Sequence, residues 1–467
     1  MIETKSNIKV SALGLFEELK KEKKKLIASK TILDKKDNHE YPIANIPFEI
    51  PSHWVWCYLS DISLIQEGPG IRKHQYETSG VQFLTVTNIL EGSVDLEKSK
   101  KYISKEQYKN YSHFTINKGD IITACSGGSW GKSAIYELDE KLILNTSTLR
   151  LRFYNDLGEN NYLYYLTKTS YFKDSLSKYI TGQQPNYGYS HYSKIPIPLP
   201  PLPEQQRIVS ILDEAFAAIA KAKANAEQNL KNAKELFESY LQGVFENKGE
   251  GWEEKKLIDI TNKIGSGATP RGGNESYKSE GISLVRSMNV HDFEFREKNL
   301  AFIDDQQAKE LNNVTLQEND VLLNITGASV ARCCVIPKEY LPARVNQHVS
   351  IIRAKKEIID PIFLNLLLTS KFYKDQLLFT GEQGATRQAI TKAQLEVFKI
   401  AFPKSIKEQK SLMDKLEALS TETKKLEAIY QTKINDLEEL KKSVLQKAFS
   451  GELTSTGSVT NKQAVTV

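Results

Sequence analysis

The sequence predicts an α+β protein made as a tandem repeat, in which each copy of a strand-rich domain runs into a long heptad helix. Three observations predict it. A series of anchor residues recurs in order about two hundred positions apart, the stretches between anchors hold short β-branched and aromatic runs broken by Gly, Asn and Ser, and two later stretches change to a helical period.

The anchors can be followed along the chain. Trp54-Val-Trp-Cys-Tyr-Leu59-Ser-Asp61-Ile62 returns as Trp252-Glu-Glu-Lys-Lys-Leu257-Ile-Asp259-Ile260, an offset of 198. Phe83-Leu-Thr-Val-Thr-Asn88-Ile89 matches Leu284-Val-Arg-Ser-Met-Asn289-Val290, and Lys118-Gly119-Asp120-Ile121-Ile122 matches Glu318-Asn319-Asp320-Val321-Leu322. Asn145 and Asn346 follow apolar runs of one kind, Pro200 to Gln206 pairs with Pro403 to Gln409, and Leu236-Phe-Glu-Ser239-Tyr-Leu241-Gln242 returns as Leu440-Lys-Lys-Ser443-Val-Leu445-Gln446. Each copy is longer than a solenoid unit, so the chain reads as a dimer fused into one polypeptide, a pseudo-twofold repeat.

Taken in order, residues 1–47 read as an N-terminal helix and linker. Ser11 is its expected N-cap, Leu13, Phe16, Leu19, Leu26 and Ile27 form its apolar face, and Asp34-Lys-Lys-Asp-Asn-His is a polar linker. Residues 48–200 form the first domain, with strand candidates Ile121-Ile-Thr, Leu142-Ile-Leu and Leu149-Arg-Leu-Arg-Phe and a helix near Tyr162 to Tyr179. Residues 201–247 are the first heptad helix. Residues 248–403 repeat the domain, with Phe363 to Leu378 as the matching helix, and residues 404–453 repeat the heptads. The tail 454–467 is polar and aperiodic, and is expected to be disordered.

The heptads place a at Ile208, Ala215, Ala222, Asn229 and Leu236 and d at Leu212, Ile219, Ala226, Ala233 and Tyr240. In the second helix a falls at Leu412, Leu419, Leu426, Lys433 and Leu440, and d at Leu416, Thr423, Tyr430, Leu437 and Val444, with Lys433 and Thr423 as exceptions. Alanine fills much of one seam and leucine much of the other, so the helices are expected to pack on each other. At about 40 residues and ~1.5 Å per residue, each would be about 60 Å long.

Composition bounds the function classes. The chain has 467 residues, 40% hydrophobic and 26% charged, which is ordinary for a globular protein with room for two to four domains. No apolar run approaches the roughly 18 residues of a membrane span, and Met1-Ile-Glu-Thr-Lys-Ser-Asn lacks a signal-peptide core, so a cytoplasmic location without membrane contact is expected. Cys57, Cys125, Cys333 and Cys334 make no C-x-x-C pair and have no His at ligand spacing, so they read as buried small apolar residues and no metal site is expected. A net charge of +5 is compatible with nucleic acid but requires any DNA footprint to be local.

No catalytic constellation is visible: no G-x-G-x-x-G, no H-E-x-x-H, no G-x-S-x-G, and no Asn-Pro-Pro-aromatic run. Ser126-Gly-Gly-Ser-Trp-Gly131-Lys132-Ser133 misses a phosphate-cradling loop only at its first position. Such a loop must open a helix, and Ala134-Ile-Tyr-Glu-Leu reads as a strand. Its repeat partner, Thr326-Gly-Ala-Ser-Val-Ala-Arg332, has no Gly-Lys, so a tight polar turn is the better reading.

What remains is polar loops at equivalent places in both copies. Glu67-Gly-Pro-Gly-Ile-Arg72-Lys73 pairs with Gly265-Ser-Gly-Ala-Thr-Pro-Arg271, and Ser126 to Lys132 pairs with Thr326 to Arg332. Thr181-Gly-Gln183-Gln184-Pro-Asn186-Tyr187-Gly-Tyr189 pairs with Thr380-Gly-Glu-Gln383-Gly-Ala-Thr386-Arg387-Gln388. Framework positions agree across copies while these loops differ, as expected of one scaffold reading two targets. Arg and Lys suit guanine O6/N7, Asn and Gln suit adenine N6/N7, and amides of Gly-rich turns suit phosphates. The candidate DNA-contacting residues are therefore Arg72, Lys73, Ser126, Lys132, Gln183, Gln184, Asn186, Tyr187 and Tyr189 in the first copy. In the second they are Arg271, Asn274, Arg332, Gln383, Arg387 and Gln388.

Together these features resemble the specificity subunit of a Type I restriction-modification system. The carriers are Ile46-Pro-Phe-Glu-Ile-Pro-Ser-His-Trp54, Pro198-Leu-Pro-Pro-Leu-Pro203-Glu204-Gln205-Gln206-Arg207-Ile208, and the Leu-x-x-Ser-x-Leu-Gln-x-x-Phe ends of both heptad helices. The likeness runs from about Ser11 to Leu453; it departs at Phe402-Pro403-Lys404-Ser405-Ile406-Lys407-Glu408-Gln409, where the proline-rich run is eroded. The resemblance implies a non-catalytic protein with two target-recognition domains, each reading one half of a bipartite double-stranded DNA site, separated by two long antiparallel coiled-coil helices. It also implies that two methyltransferase subunits dock on the scaffold, joined by restriction (motor-nuclease) subunits, and that S-adenosylmethionine, ATP and Mg²⁺ are bound by those partners and not by this chain. The seam residues expected to serve the coil and its partners are Ile208, Leu212, Ile219, Leu236, Leu412, Leu416, Leu419, Leu426, Leu437 and Leu440. The rival readings are a bipartite DNA-binding protein working without a methyltransferase, a coiled-coil scaffold, and an ATP-binding enzyme.

Overall fold

A computed structural model describes residues 11–453 except 38, 44–45, 180–184 and 383–388. The chain divides into two compact units, one running to Ala224 and resuming at Ile434, the other comprising Asn225–Lys433.

In the first unit the helix Ala12–Ala28 starts at Ser11, whose hydroxyl accepts from the Gly14 amide at 3.1 Å. Nine strands follow: β1 (Val55–Tyr58), β2 (Ser63–Glu67), β3 (Val81–Phe83), β4 (Tyr102–Ile103), β5 (Ile121–Ala124), β6 (Ser133–Ile135), β7 (Leu142–Ile143), β8 (Thr148–Phe153) and β9 (Pro196–Leu199). They form a four-stranded antiparallel sheet of order β2-β8-β5-β6, a three-stranded sheet β4-β3-β7 whose β3–β7 pairing is parallel, and an antiparallel pair β1-β9. Strand β8 shows why this sequence makes a sheet. Its Leu149, Leu151 and Phe153 alternate into the main core, while Arg150 and Arg152 leave from the other face and reach the fully buried Asp120 at 3.2 and 3.4 Å.

The second unit repeats the plan with β10 (Trp252–Lys256), β11 (Thr261–Ser266), β12 (Ile282–Val285), β13 (Val290–His291), β14 (Glu294–Phe295), β15 (Ala301–Ile303), β16 (Val321–Asn324), β17 (Cys333–Val335), β18 (Ala343–Val345), β19 (Val349–Ala354) and β20 (Lys399–Pro403). The orders β11-β19-β16-β17, β15-β12-β18 and β10-β20 reproduce those of the first unit strand for strand, and β13-β14 adds a small hairpin. Asp320 is again buried, here paired with Arg353 through bonds of 2.7 and 2.8 Å.

The helix expected near Tyr162 to Tyr179 is two helices, Asn160–Lys168 and Ser170–Ser177, and its counterpart is likewise split into Pro361–Thr369 and Lys371–Glu382. The break falls where Thr169 takes an extended conformation and caps the second helix from its hydroxyl to the Phe172 amide; Ser370 is extended in the same place.

The long helices are Leu202–Glu246 and Ile406–Phe449. Each begins with a glutamine that has no exposure. Gln205 accepts from the Glu159 amide and donates to the Pro200 carbonyl, while Gln409 accepts from the Asp360 amide and donates to the carbonyls of Ile358 and Pro403. That shared buried network explains the Pro-to-Gln anchor in both copies.

The heptad frame needs correction towards the helix ends. Ile208, Leu212, Ala226, Ala233 and Leu416 are buried, and Ile219, Leu412, Leu419 and Leu437 are half-buried, but Leu236, Tyr240, Leu426 and Leu440 are exposed. Phe237 and Leu241 take the inward places assigned to Leu236 and Tyr240. A strict heptad lags an α-helix by ~20° per repeat, so after several heptads the inward position moves one residue on. Thr423, an exception to the heptad pattern, is 2% exposed, its hydroxyl satisfied by the Ser420 carbonyl. Within the first unit the two helix segments run antiparallel, with Lys223 paired to Glu438 and Lys441 over the Phe216 ring. Leu445, Ala448 and Phe449 enter the first unit's core, and Leu241 and Phe245 enter the second's.

Candidate nucleic-acid interface

In the first unit the candidate loops leave from one end of the four-stranded sheet. The end of β2, the start of β8, the end of β5 and the start of β6 are neighbours through the pairs Glu67–Leu149, Ala124–Thr148 and Thr123–Ser133. Backbone bonds then tie the loops together: Gly68 N to Thr148 O at 3.0 Å, Cys125 N to Ser147 O at 2.8 Å, Gly127 N to Pro185 O at 3.2 Å, and Tyr187 N to Cys125 O at 2.9 Å. Gly68 is required here because a β-carbon would collide with the Asn145 carbonyl. The second unit repeats two of these stitches, Ile325 N to His348 O and Ile390 N to Ile325 O, and its Gly267 N bonds Asn346 O; a β-carbon on Gly267 would meet the Val345 carbonyl.

On this platform Arg72, Lys73 and Asn186 are exposed, and Ser126 and Lys132 are partly exposed. Arg72 opens a 3-10 turn in which the Gln75 side-chain Oε1 accepts from the Arg72 amide at 2.9 Å, and Asn186 forms a β-bridge with Ser126. Arg271 is exposed and Arg332 partly exposed in the second unit. Asn274 lies in the turn Gly273–Ser276, and its side chain is outside the described set. Gln183, Gln184, Gln383, Arg387 and Gln388 lie outside the described residues.

Two tyrosines differ from expectation. Tyr187 is 2% exposed: its ring packs on Trp130 at 5.2 Å within the main core and its hydroxyl has no hydrogen-bond partner among the described residues, so it supports the loop from beneath instead of facing a base. Burial pushes its phenol above the ordinary value. Tyr189 is occupied by other parts of the first unit, its hydroxyl donating to Asp37 at 2.5 Å.

The structure also adds residues. Gln347 and His348 sit where the first unit has Thr146 and Ser147; Thr269 contacts Gln347, and Thr326 Oγ1 lies 2.6 Å from His348 Nδ1. His348 and Thr326, with Ser287, Met288 and Arg332, line a shallow depression of ≈ 410 Å³ at the Gly327–Ser329 turn. Extending the copy-to-copy comparison two positions beyond Asn346 would have found Gln347 and His348. Met288 and Thr87 are exposed on turns held by the buried Asn289 and Asn88, whose side chains make matching bonds back to Arg286 and Thr85.

The phosphate-loop look-alike is settled by its exit. Lys132 is followed by strand β6, and Gly127–Ser129 is a single 3-10 turn with Gly127 and Gly131 at φ +63 and +78. No helix N-terminus follows to hold a phosphate. All four cysteines are free and buried, and burial pushes the Cys125 thiol up to about 12. Among the described residues no group of three His, Cys, Asp or Glu could hold a metal ion, and no helix is long and apolar enough to cross a membrane.

Two copies of one sheet framework, each presenting a stitched polar loop platform whose side chains differ, define a two-module recognition protein. Residues 51–231 and 249–439 match the family described as Type I restriction modification DNA specificity domain, and the chain belongs to it. The EcoKI specificity subunit of Escherichia coli K12 is 24% identical over 432 residues, covering 87% of this chain and 90% of its own. The HsdS subunit from Thermoanaerobacter tengcongensis shares the fold at 20% identity with a TM-score of 0.60, over 87% of this chain and 99% of that one. A chain from a structure concerned with complex assembly and conformational transition of the type I R-M system gives 19% identity and a TM-score of 0.67, over 87% and 100%.

Proposed function

We propose that this chain is the sequence-specificity subunit of a Type I restriction-modification complex, in which each module reads one half of a split, asymmetric DNA site. The observation carrying this is the pair of superposable strand frameworks bearing unlike loop side chains: Arg72, Lys73, Lys132 and Asn186 in one, Arg271, Arg332, Gln347 and His348 in the other. Guanidinium, amide and imidazole groups on a backbone platform suit base edges and phosphates, and their difference makes the half-sites unlike.

The chain has a recognition role and no catalytic one. Methyl transfer and DNA translocation belong to partners, with S-adenosylmethionine, ATP and Mg²⁺ bound there. Leu236, Tyr240, Leu426 and Ile429 in the second unit and Leu440 in the first are exposed apolar side chains on the long helices, and this supports docking of two methyltransferase subunits, with restriction subunits joining them. The complex acts on chromosomal and incoming DNA in the cytoplasm.

The test is single-molecule sequencing of native genomic DNA for N6-methyladenine with the gene intact and deleted. A split motif of two unlike halves that vanishes on deletion is expected. An unchanged methylation map in a strain with an active methyltransferase partner would refute the assignment.

A further inference from the structure

Among the described residues one part of the first unit has no counterpart in the second. The helix Ala12–Ala28 and the chain after it precede residue 51, where the family match begins. The helix buries Ala12, Leu15, Phe16 and Leu19 in the first unit, and the following chain then runs back over the module as an arm. Lys23 lies 3.3 Å from Asp37 and 3.7 Å from Asp61, His39 stacks on Tyr58 at 4.1 Å and reaches Ser60 at 2.9 Å, and Tyr41 donates to Asp61.

The arm ends its contacts on a recognition loop. The Tyr189 hydroxyl donates to Asp37 at 2.5 Å, the Lys35 ammonium lies 3.7 Å from the centre of the Tyr189 ring, and the Tyr189 amide donates to Glu67, the last residue of β2. Burial pushes the Asp37 carboxyl up, but the Tyr189 and Ser60 hydroxyls and the Lys23 ammonium outweigh it and hold it below its ordinary value, so it stays an ionised acceptor.

The second module shows what the arm replaces. There the equivalent segment, Ala389-Ile390-Thr391, enters the helix Lys392–Val397 through a capping box: Thr391 and Gln394 bond each other's backbone amides, and Gln394 also donates to the Thr380 carbonyl at 2.9 Å. In the first module Gly188 stands at the cap position, where a β-carbon would collide with the Glu67 carboxylate. It has no side chain to cap with; His191 Nδ1 accepts from the Gly188 amide at 3.0 Å, and beyond the stitches at 185–187 the hold on Tyr189 itself comes from Glu67 and the arm.

We infer that Lys35 and Asp37 are positioning residues that fix the 185–189 segment of the first module through Tyr189, so that the N-terminal arm tunes the reading of the first half-site and leaves the second untouched. The inference rests on the two-half-site reading above. It is tested with the full-length chain expressed with its methyltransferase partner, wild type against Asp37→Asn, Lys35→Gln, Tyr189→Phe and the Asp37→Asn/Tyr189→Phe double variant, mapping N6-methyladenine across the genome. Losing one hydrogen bond to a charged group is expected to lower methylation at the full motif by about tenfold, with tolerated bases appearing in one half only. The double variant is expected to lose no more than Asp37→Asn alone, since that substitution already weakens the one bond Tyr189→Phe removes, along with the Lys23 pair. Tyr189→Phe keeps the ring, so its melting temperature should fall by no more than about a few degrees. An unchanged motif in all variants, or equal relaxation in both halves, overturns the arm's role alone; absence of any split motif in the wild type overturns the two-half-site reading and the inference with it.

Discussion

The two modules have the same strand orders, the same buried Asp–Arg pair and the same glutamine lock at the foot of a long helix, yet they fill the space around that frame differently. In the first unit Tyr165 packs edge-on to Phe216 at 5.4 Å, its hydroxyl on Asp213, with Lys441 over the Phe216 ring. The corresponding residues of the second unit are Leu366 and Ser420, and they line an open groove of ≈ 1160 Å³ together with Phe237, Phe293 and Leu416. The contrast teaches that the repeat fixes backbone hydrogen bonds and a few buried polar locks, while side-chain volume outside them is free to drift.

The largest test of that separation is at the helix ends. Phe449→Ala should cost the first unit about 3–5 kcal/mol, and Phe245→Ala the second by a similar amount, because each ring fills a core. Hydrogen exchange resolved by unit should show each loss in one unit only. Next come the buried acids. Asp320→Ala leaves Arg353 with only the Thr315 carbonyl and should cost about 3–5 kcal/mol. Asp120→Ala should cost less, because its bonds to Arg150 and Arg152 are longer and Arg150 keeps two carbonyls, those of Thr115 and His113, where Arg353 keeps one, which denaturant melts would rank. Smaller again, Arg72→Ala and Arg271→Ala should each weaken a different half-site by about 1–3 kcal/mol, read as relaxed positions in the methylation motif. A shift of both halves by either substitution would break the comparison.

The smallest effect is in pH. Burial, opposed by Asp61 and Asp37, holds the His39 imidazole below its ordinary value. Its folded value being depressed, its contribution to arm docking is complete above about pH 6.5 and is lost as the pH falls towards the folded value. Asp37, also depressed but from a carboxylate's ordinary range, stays ionised across that window. Exchange in residues 34–41, corrected for intrinsic rates, should therefore be faster at mildly acidic pH. His39→Gln should abolish the difference, and the second unit, which lacks the arm, should show none.

Much of the frame was legible because its signals are local. Leu149-Arg-Leu-Arg-Phe alternates as a half-buried strand must, Ser11 precedes an apolar helical period, and the anchors repeat in order. What the sequence hid was set by distance or by slow drift. Tyr187 in a Gly- and Asn-rich loop reads as exposed, and only the folded chain brings Trp130 under its ring. Asp34-Lys-Lys-Asp-Asn-His reads as a linker because its partner, Tyr189, is far along the chain. The heptad frame placed Leu236 and Leu440 inward because a pattern counted in sevens takes no account of the α-helix's own pitch. The candidates Gln347 and His348 follow the last anchor, Asn346, and only the folded chain brings Thr269 and Thr326 against them.

Each long helix begins in one unit and ends in the other, and this sets an order of events during synthesis. The second unit, Asn225–Lys433, is one unbroken stretch, whereas the core of the first joins Leu15 and Trp54 to Leu445, Ala448 and Phe449. The module made first on the ribosome thus has the longer loop to close and stays unsealed along one side until the final helix emerges. Synthesis from the N-terminus and completion from the C-terminus run in opposite directions, and a chain released at residue 433 would hold a complete second unit and an unfinished first.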